Sequence, residues 1–164
     1  METTSGSLGQ GLSIAAGKAF ALRLDNNSAK IYCMLGDGEL DEGQIWESLA
    51  TIQKYNLSNL IIIVDNNKVQ LDGSNIEVKN LEPLNTKFKA FNYEVLEVDG
   101  HDINELINTY NFAKTLSDKG KNVIILANTI KGKGVSFMEN TAEWHGKIPN
   151  DEEYQKALKE LESE

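Results

Sequence analysis

Four short aliphatic runs, at residues 31–35, 60–65, 93–98 and 123–127, constrain this chain more than any other feature. None alternates strictly between polar and apolar residues, which is the pattern of strands covered on both faces of a parallel sheet. Parallel strands need crossovers, and the segments between the runs have helical period. Leu8, Leu12, Ala15, Ala19 and Leu22 are spaced 4, 3, 4 and 3, predicting one apolar helix face ahead of the first run. Ile45, Leu49 and Ile52 predict a helix around 42–55. Ile103, Leu106, Ile107 and Tyr110 predict another, opened by an Asp102 N-cap with Glu105 three residues on. The rhythm predicts an α/β fold: an open, mostly parallel sheet with helices on both faces and right-handed crossovers. Two aperiodic stretches, 66–83 and 129–150, each follow a strand. Both are therefore expected at the carboxyl edge of the sheet, where open α/β folds bind ligands.

A length of 164 residues suits a single domain spanning 1–164, with no linker and only Pro83 and Pro149 as prolines. Sixteen Lys and Arg against 25 Asp and Glu leave a net charge of −9, a poor footprint for nucleic acid or an anionic membrane. The longest wholly aliphatic run, 60–64, is far short of the ~20 residues of a spanning helix. Residues 1–5 lack the basic and apolar regions of a secretory leader, and one cysteine, Cys33, suits a reducing, cytoplasmic setting. Residues 139–164 hold eight acids against three lysines, a net of −5, and an acidic terminal helix is expected there at about 151–162, with Tyr154, Ala157, Leu158 and Leu161 as its modest apolar stripe.

The first chemical loop is Gly36-Asp37-Gly38-Glu39, between the first strand and the helix after it. Two glycines permit a sharp turn and close backbone approach, and nearby helix amides suit an anion. A carboxylate between them repels bare phosphate but becomes suitable when a divalent cation bridges the two. The second loop, Asp65 to Gln70, offers asparagine and carbonyl oxygens, hard donors for Mg²⁺ or a looser Ca²⁺ shell. Asp37 and Asn67 are thirty positions apart, one helix plus one strand, so the crossover returns them to the same edge. The charge of −9 does not oppose a phosphate ligand, because charges beyond a Debye length of about 8 Å are screened and a bound cation is not.

With TTSGSLGQG at 3–11, GDGELDEGQ at 36–44, DNNKVQLDG at 65–73, DGHD at 99–102, KGKG at 131–134 and WHGK at 144–147, the chain resembles transketolases. It is most similar to their N-terminal thiamine-diphosphate-binding part, particularly the small subunit of split enzymes, N-terminally truncated. The resemblance implies the thiamine-diphosphate-binding fold, thiamine diphosphate with Mg²⁺ (or Ca²⁺), and metal ligation by Asp37, Asn67 and the Val69 carbonyl. It assigns Gly6, Leu8, Gly36, Gly38, Glu39, Asn67, Leu71 and His145 to cofactor binding, with Gly38 offering its amide to the diphosphate and Leu71 packing on the thiazolium. His145 and Glu42 are the catalytic candidates, Glu42 at a dimer interface.

Blander readings stand beside these. Asp37 also suits a turn or cap, Asn66-Asn67 a left-handed turn pair, and Leu71 a core leucine. Ser7 also suits a helix cap, Gly9 and Gly11 close helix packing, and His101 a structural role.

The resemblance implies transfer of a two-carbon ketol unit between sugar phosphates of the pentose phosphate pathway, the carbon–carbon chemistry belonging to the cofactor. It implies as partner a pyrimidine-binding C-terminal transketolase subunit, in a homodimer or heterotetramer. The alternative is a stand-alone or truncated cofactor-binding module without turnover.

Overall fold

The computed structural model describes residues 3–162; Met1, Glu2, Ser163 and Glu164 of the expected domain and leader-free start lie outside the described residues. The aliphatic runs form strands β1 (Ile31–Gly36), β2 (Leu60–Asn66), β5 (Glu94–Asp99) and β6 (Val123–Asn128). They make one all-parallel sheet in the order β1-β2-β6-β5, with Gly36 level with Asp65, Asp65 with Ala127, and Asp99 with Asn128. A small antiparallel hairpin, β3 (Val69–Gln70) and β4 (Gly73–Ser74), occupies the loop after β2.

Strand alternation divides the core in two. Leu60, Ile62 and Val64 of β2 face α1 (Gln10–Leu24), α2 (Gly43–Tyr55) and α4 (Leu84–Ala90), while Ile61 and Ile63 face α5 (Ile103–Asp118). The central strands β2 and β6 are covered on both faces and read as near-continuous apolar runs, whereas the edge strands β1 and β5 are only partly covered, with Tyr32 and Met34 exposed. A short α3 (Asn75–Lys79) follows the hairpin, and α6 (Asp151–Leu161) closes the described chain behind an Asn150 and Glu153 capping box. Among the described residues, no helix is long and apolar enough to cross a membrane.

Three local expectations are corrected. Leu8 is not on the apolar face of α1: Gly9, at φ 83°, is the N-cap, the helix begins at Gln10, and Leu8 is 53% exposed. Ser7 therefore does not cap the helix either; its carbonyl accepts from the Gln10 amide. The α5 face is built from Leu106, Tyr110, Ala113 and Leu116, whereas Ile103 and Ile107 are exposed. Ala113 is the fully buried position, because a helix lies closest to a sheet where its side chain is smallest.

Candidate functional site

The register brings the ends of β1, β2 and β6 to one edge, so the loops after Gly36, Asn66 and Asn128 emerge together. Asp37 is 4% exposed and held from three segments. Its Oδ1 accepts from the Gly38 amide at 2.8 Å and its Oδ2 from the Lys68 amide at 2.5 Å, with the Asn75 side chain as a third partner. Burial pushes the Asp37 carboxyl above its ordinary value, the nearby Asp65 adds to this, and those three hydrogen bonds oppose it. A buried carboxylate whose charge is poorly solvated gains most from a cation.

Lys68, at φ 67°, is the left-handed residue of the second loop; the expectation that Asn66 and Asn67 take that turn geometry is corrected. Asn66 instead ends β2, 2% exposed, donating through Nδ2 to Asn128 Oδ1 at 2.8 Å. The Lys68 amide on Asp37 ties the chain between Asn67 and Val69 to the first loop, and Asn67 Oδ1 accepts from the Val69 amide at 3.0 Å. Gly38 packs directly on β3: a Cβ there would lie 2.8 Å from Gln70 Cβ. The two loops thus meet where the bare Gly38 main chain seats the Gln70 side chain, a contact that no side chain at 38 would permit.

Other expected residues are distributed around this pair. Glu39 spends both oxygens on the main chain, accepting from Gly9 N at 2.8 Å and Gly36 N at 3.3 Å, so it ties the start of α1 to the end of β1. Glu42 is the N-cap of α2, with no side-chain capping bond, and a Cβ on Gly9 would lie 3.2 Å from its Cβ. Gly11 has open space around it, so only Gly9 serves close packing. Gly6 and Leu8 form an exposed turn ahead of Gly9. Leu71, at the hairpin tip, is 64% exposed, which excludes a core role within this chain. The 3₁₀ turn at Ala142–His145 lies beside β3, and His145 is exposed with Nδ1 3.3 Å from Lys131 Nζ. His101 Nε2 accepts from the Ile130 amide at 2.8 Å, a loop-bracing contact. Sequence reasoning gave no role to Lys68, whose amide reaches Asp37, or to Lys131 beside His145; neither residue type signals such a contact.

The donor set fits a divalent cation shared with an anionic ligand. It has one buried carboxylate and adjacent neutral oxygens, and among the described residues no group of three or more His, Cys, Asp or Glu forms a self-sufficient metal cage. The remaining positions fall to water and to the ligand.

A parallel α/β sheet with this pair of loops at its carboxyl edge defines an open α/β domain, a class that binds its ligands at that edge. The chain belongs to the family described as transketolase, thiamine diphosphate binding domain, whose model matches residues 1–163. It is 43% identical over 164 residues to one of the subunits of the apulose-4-phosphate transketolase of Actinobacillus succinogenes, covering 100% of this chain and 58% of that protein. It is also 43% identical over 164 residues to 6-deoxy-6-sulfo-D-fructose transketolase subunit SqwG of a Clostridium species, covering 100% of this chain and 59% of the relative. The structure of transketolase from Campylobacter jejuni superposes with a TM-score of 0.87 at 33% identity, over 96% of this chain and 26% of that one. The chain therefore spans somewhat over half the length of these two curated subunits.

Proposed function

We propose that this chain is the thiamine-diphosphate- and Mg²⁺-binding half of a transketolase that acts with a pyrimidine-binding partner subunit. The observation that carries the reading is the junction of Asp37 with the Asn67–Val69 loop, buried carboxylate against neutral oxygens at one sheet edge. Asp37, Asn67 Oδ1 and the Val69 carbonyl would hold the cation, and the diphosphate would complete its shell. When bound, thiamine diphosphate supplies the carbon nucleophile of ketol transfer.

The chain's own groups do the rest. Gly36 and Gly38 keep the Asp37 turn free of side chains. The Gly38 amide, on Asp37 Oδ1 in this structure, is available to an anion only through a small local turn. His145 and Lys131 place two nitrogen groups beside β3 for phosphate and hydroxyl oxygens. Leu71, apolar and exposed at the tip, suits the face of an aromatic ring. Gly6 and Leu8 line the same edge through Gly9, Glu39 braces it, and Glu42 at the start of α2 is the group for contact with a second copy in a homodimer or heterotetramer.

The relatives' names suggest a substrate class wider than the pentose phosphate pathway, taking in other anionic ketoses. A cytoplasmic setting fits the single buried thiol. The test is reconstitution with a pyrimidine-binding transketolase subunit from the same source. Ketol transfer is assayed with xylulose 5-phosphate, apulose 4-phosphate or 6-deoxy-6-sulfofructose as donor and an aldose phosphate as acceptor. Activity in the mixture and in neither half alone is expected; no complex and no turnover with any of the donors contradicts the reading.

A further inference from the structure

A primary amide presents an oxygen and a nitrogen of nearly equal shape, and a divalent cation accepts only the oxygen. Whatever fixes the rotation of the Asn67 amide therefore decides whether Asn67 is a ligand at all. Two contacts fix it. Asn67 Nδ2 donates to Asp65 Oδ2 at 3.3 Å, and Asn67 Oδ1 accepts from the Val69 amide at 3.0 Å. A half-turn of the amide would set Oδ1 against a carboxylate and Nδ2 against an N–H, losing both bonds and making two repulsive contacts. Asp65 is itself fixed. It lies in β2, level with Gly36 and Ala127, and Thr129 Oγ1, just past the end of β6, donates to its Oδ1. With both oxygens engaged it stands one step back from the cation position, and its carbonyl accepts from the Asp37 amide at 3.1 Å.

We propose that Asp65, anchored by Thr129, is the positioning residue that turns the Asn67 amide oxygen toward the cation. The inference rests on the reading of Asn67 as a metal ligand given above. Outer groups of this kind are worth about 10–100-fold in metal affinity.

The test is calorimetric titration of thiamine diphosphate with Mg²⁺, repeated with Mn²⁺, on the full chain and its variants, with a thermal midpoint recorded for each. Asp65→Asn keeps an acceptor for Asn67 Nδ2 and a donor for Thr129 Oγ1, so it should bind within a few-fold of wild type. Asp65→Ala should bind about 10–100-fold more weakly. Thr129→Val, which removes only the anchor, should fall between the two and serves if Asp65→Ala does not fold. Equal losses in Asp65→Asn and Asp65→Ala would show that Asp65 acts by charge and overturn the proposal, as would wild-type affinity in Asp65→Ala or Thr129→Val. Asn67→Ala separates the two levels: unchanged Mg²⁺-dependent binding there removes the metal-ligand reading and this inference with it. A loss in Asn67→Ala with none in Asp65→Ala removes the inference alone.

Discussion

Gly38 shows how one residue without a side chain couples two loops. Its neighbour Asp37 contributes the charge, but the close seat of β3 depends on position 38 being empty. Gly38→Ala should destabilise the protein by about 1–3 kcal/mol, because a Cβ–Cβ separation of 2.8 Å must be relieved by moving the hairpin. Urea denaturation measures the loss. Mg²⁺-dependent cofactor binding should weaken in the same variant, since Val69 moves with β3.

Cys33 is the opposite case, a reactive residue type made inert. Burial, with the nearby charge of Glu39 adding to it, pushes its thiol from 9.0 up to about 11. The folded state thus holds the thiol proton more tightly than the unfolded chain does. That contribution to stability is complete below pH 9.0 and is lost as pH rises toward about 11. Wild type should therefore lose more stability than Cys33→Ala between pH about 8 and about 10, and the native thiol should resist aromatic disulfide reagents at pH about 8.

Between elements, Glu39 is the principal tie, since one carboxylate joins the start of α1 to the end of β1. Glu39→Ala should cost about 1–3 kcal/mol, because two main-chain amides lose a charged acceptor. Glu39→Gln keeps one acceptor oxygen and should cost less, and hydrogen exchange at Gly9 and Gly36 reads the difference.

The four strands of the parallel sheet were legible in sequence to within a residue or so because short apolar runs between helical segments leave few other options; the two-residue strands of the β3–β4 hairpin, inside an aperiodic stretch, were not. Helix faces were less so. The pattern counted Leu8 into a helix that, behind the positive φ of Gly9, begins only at Gln10. It also weighted Ile103 and Ile107 by hydropathy, where close approach favours Ala113. Within the site, the approach of the two loops was legible from spacing and motif, and the Lys68 amide, next to Asn67, donates to Asp37. The left-handed turn at Lys68 and the link from Thr129 to Asp65 were not. The latter joins residues 64 positions apart, and depends on the register of β2 against β6, which no local pattern encodes.

For the whole molecule, a charge of −9 and a single buried carboxylate at the site make the same demand. On the proposed reading an anionic ligand would bind here through a cation, because the local charge of the cation is not screened while the distant acids are. The exposed Leu71 and the exposed turn at Gly6–Leu8 border that edge, consistent with a half-site that another chain completes. Calorimetric titration of thiamine diphosphate with and without Mg²⁺ separates a cation-bridged site from a direct one. Saturable binding in the presence of Mg²⁺, lost on chelation and weakened at least about tenfold in Asp37→Ala, is the predicted result. Binding of equal strength with and without Mg²⁺, or binding that Asp37→Ala leaves unchanged, would contradict it.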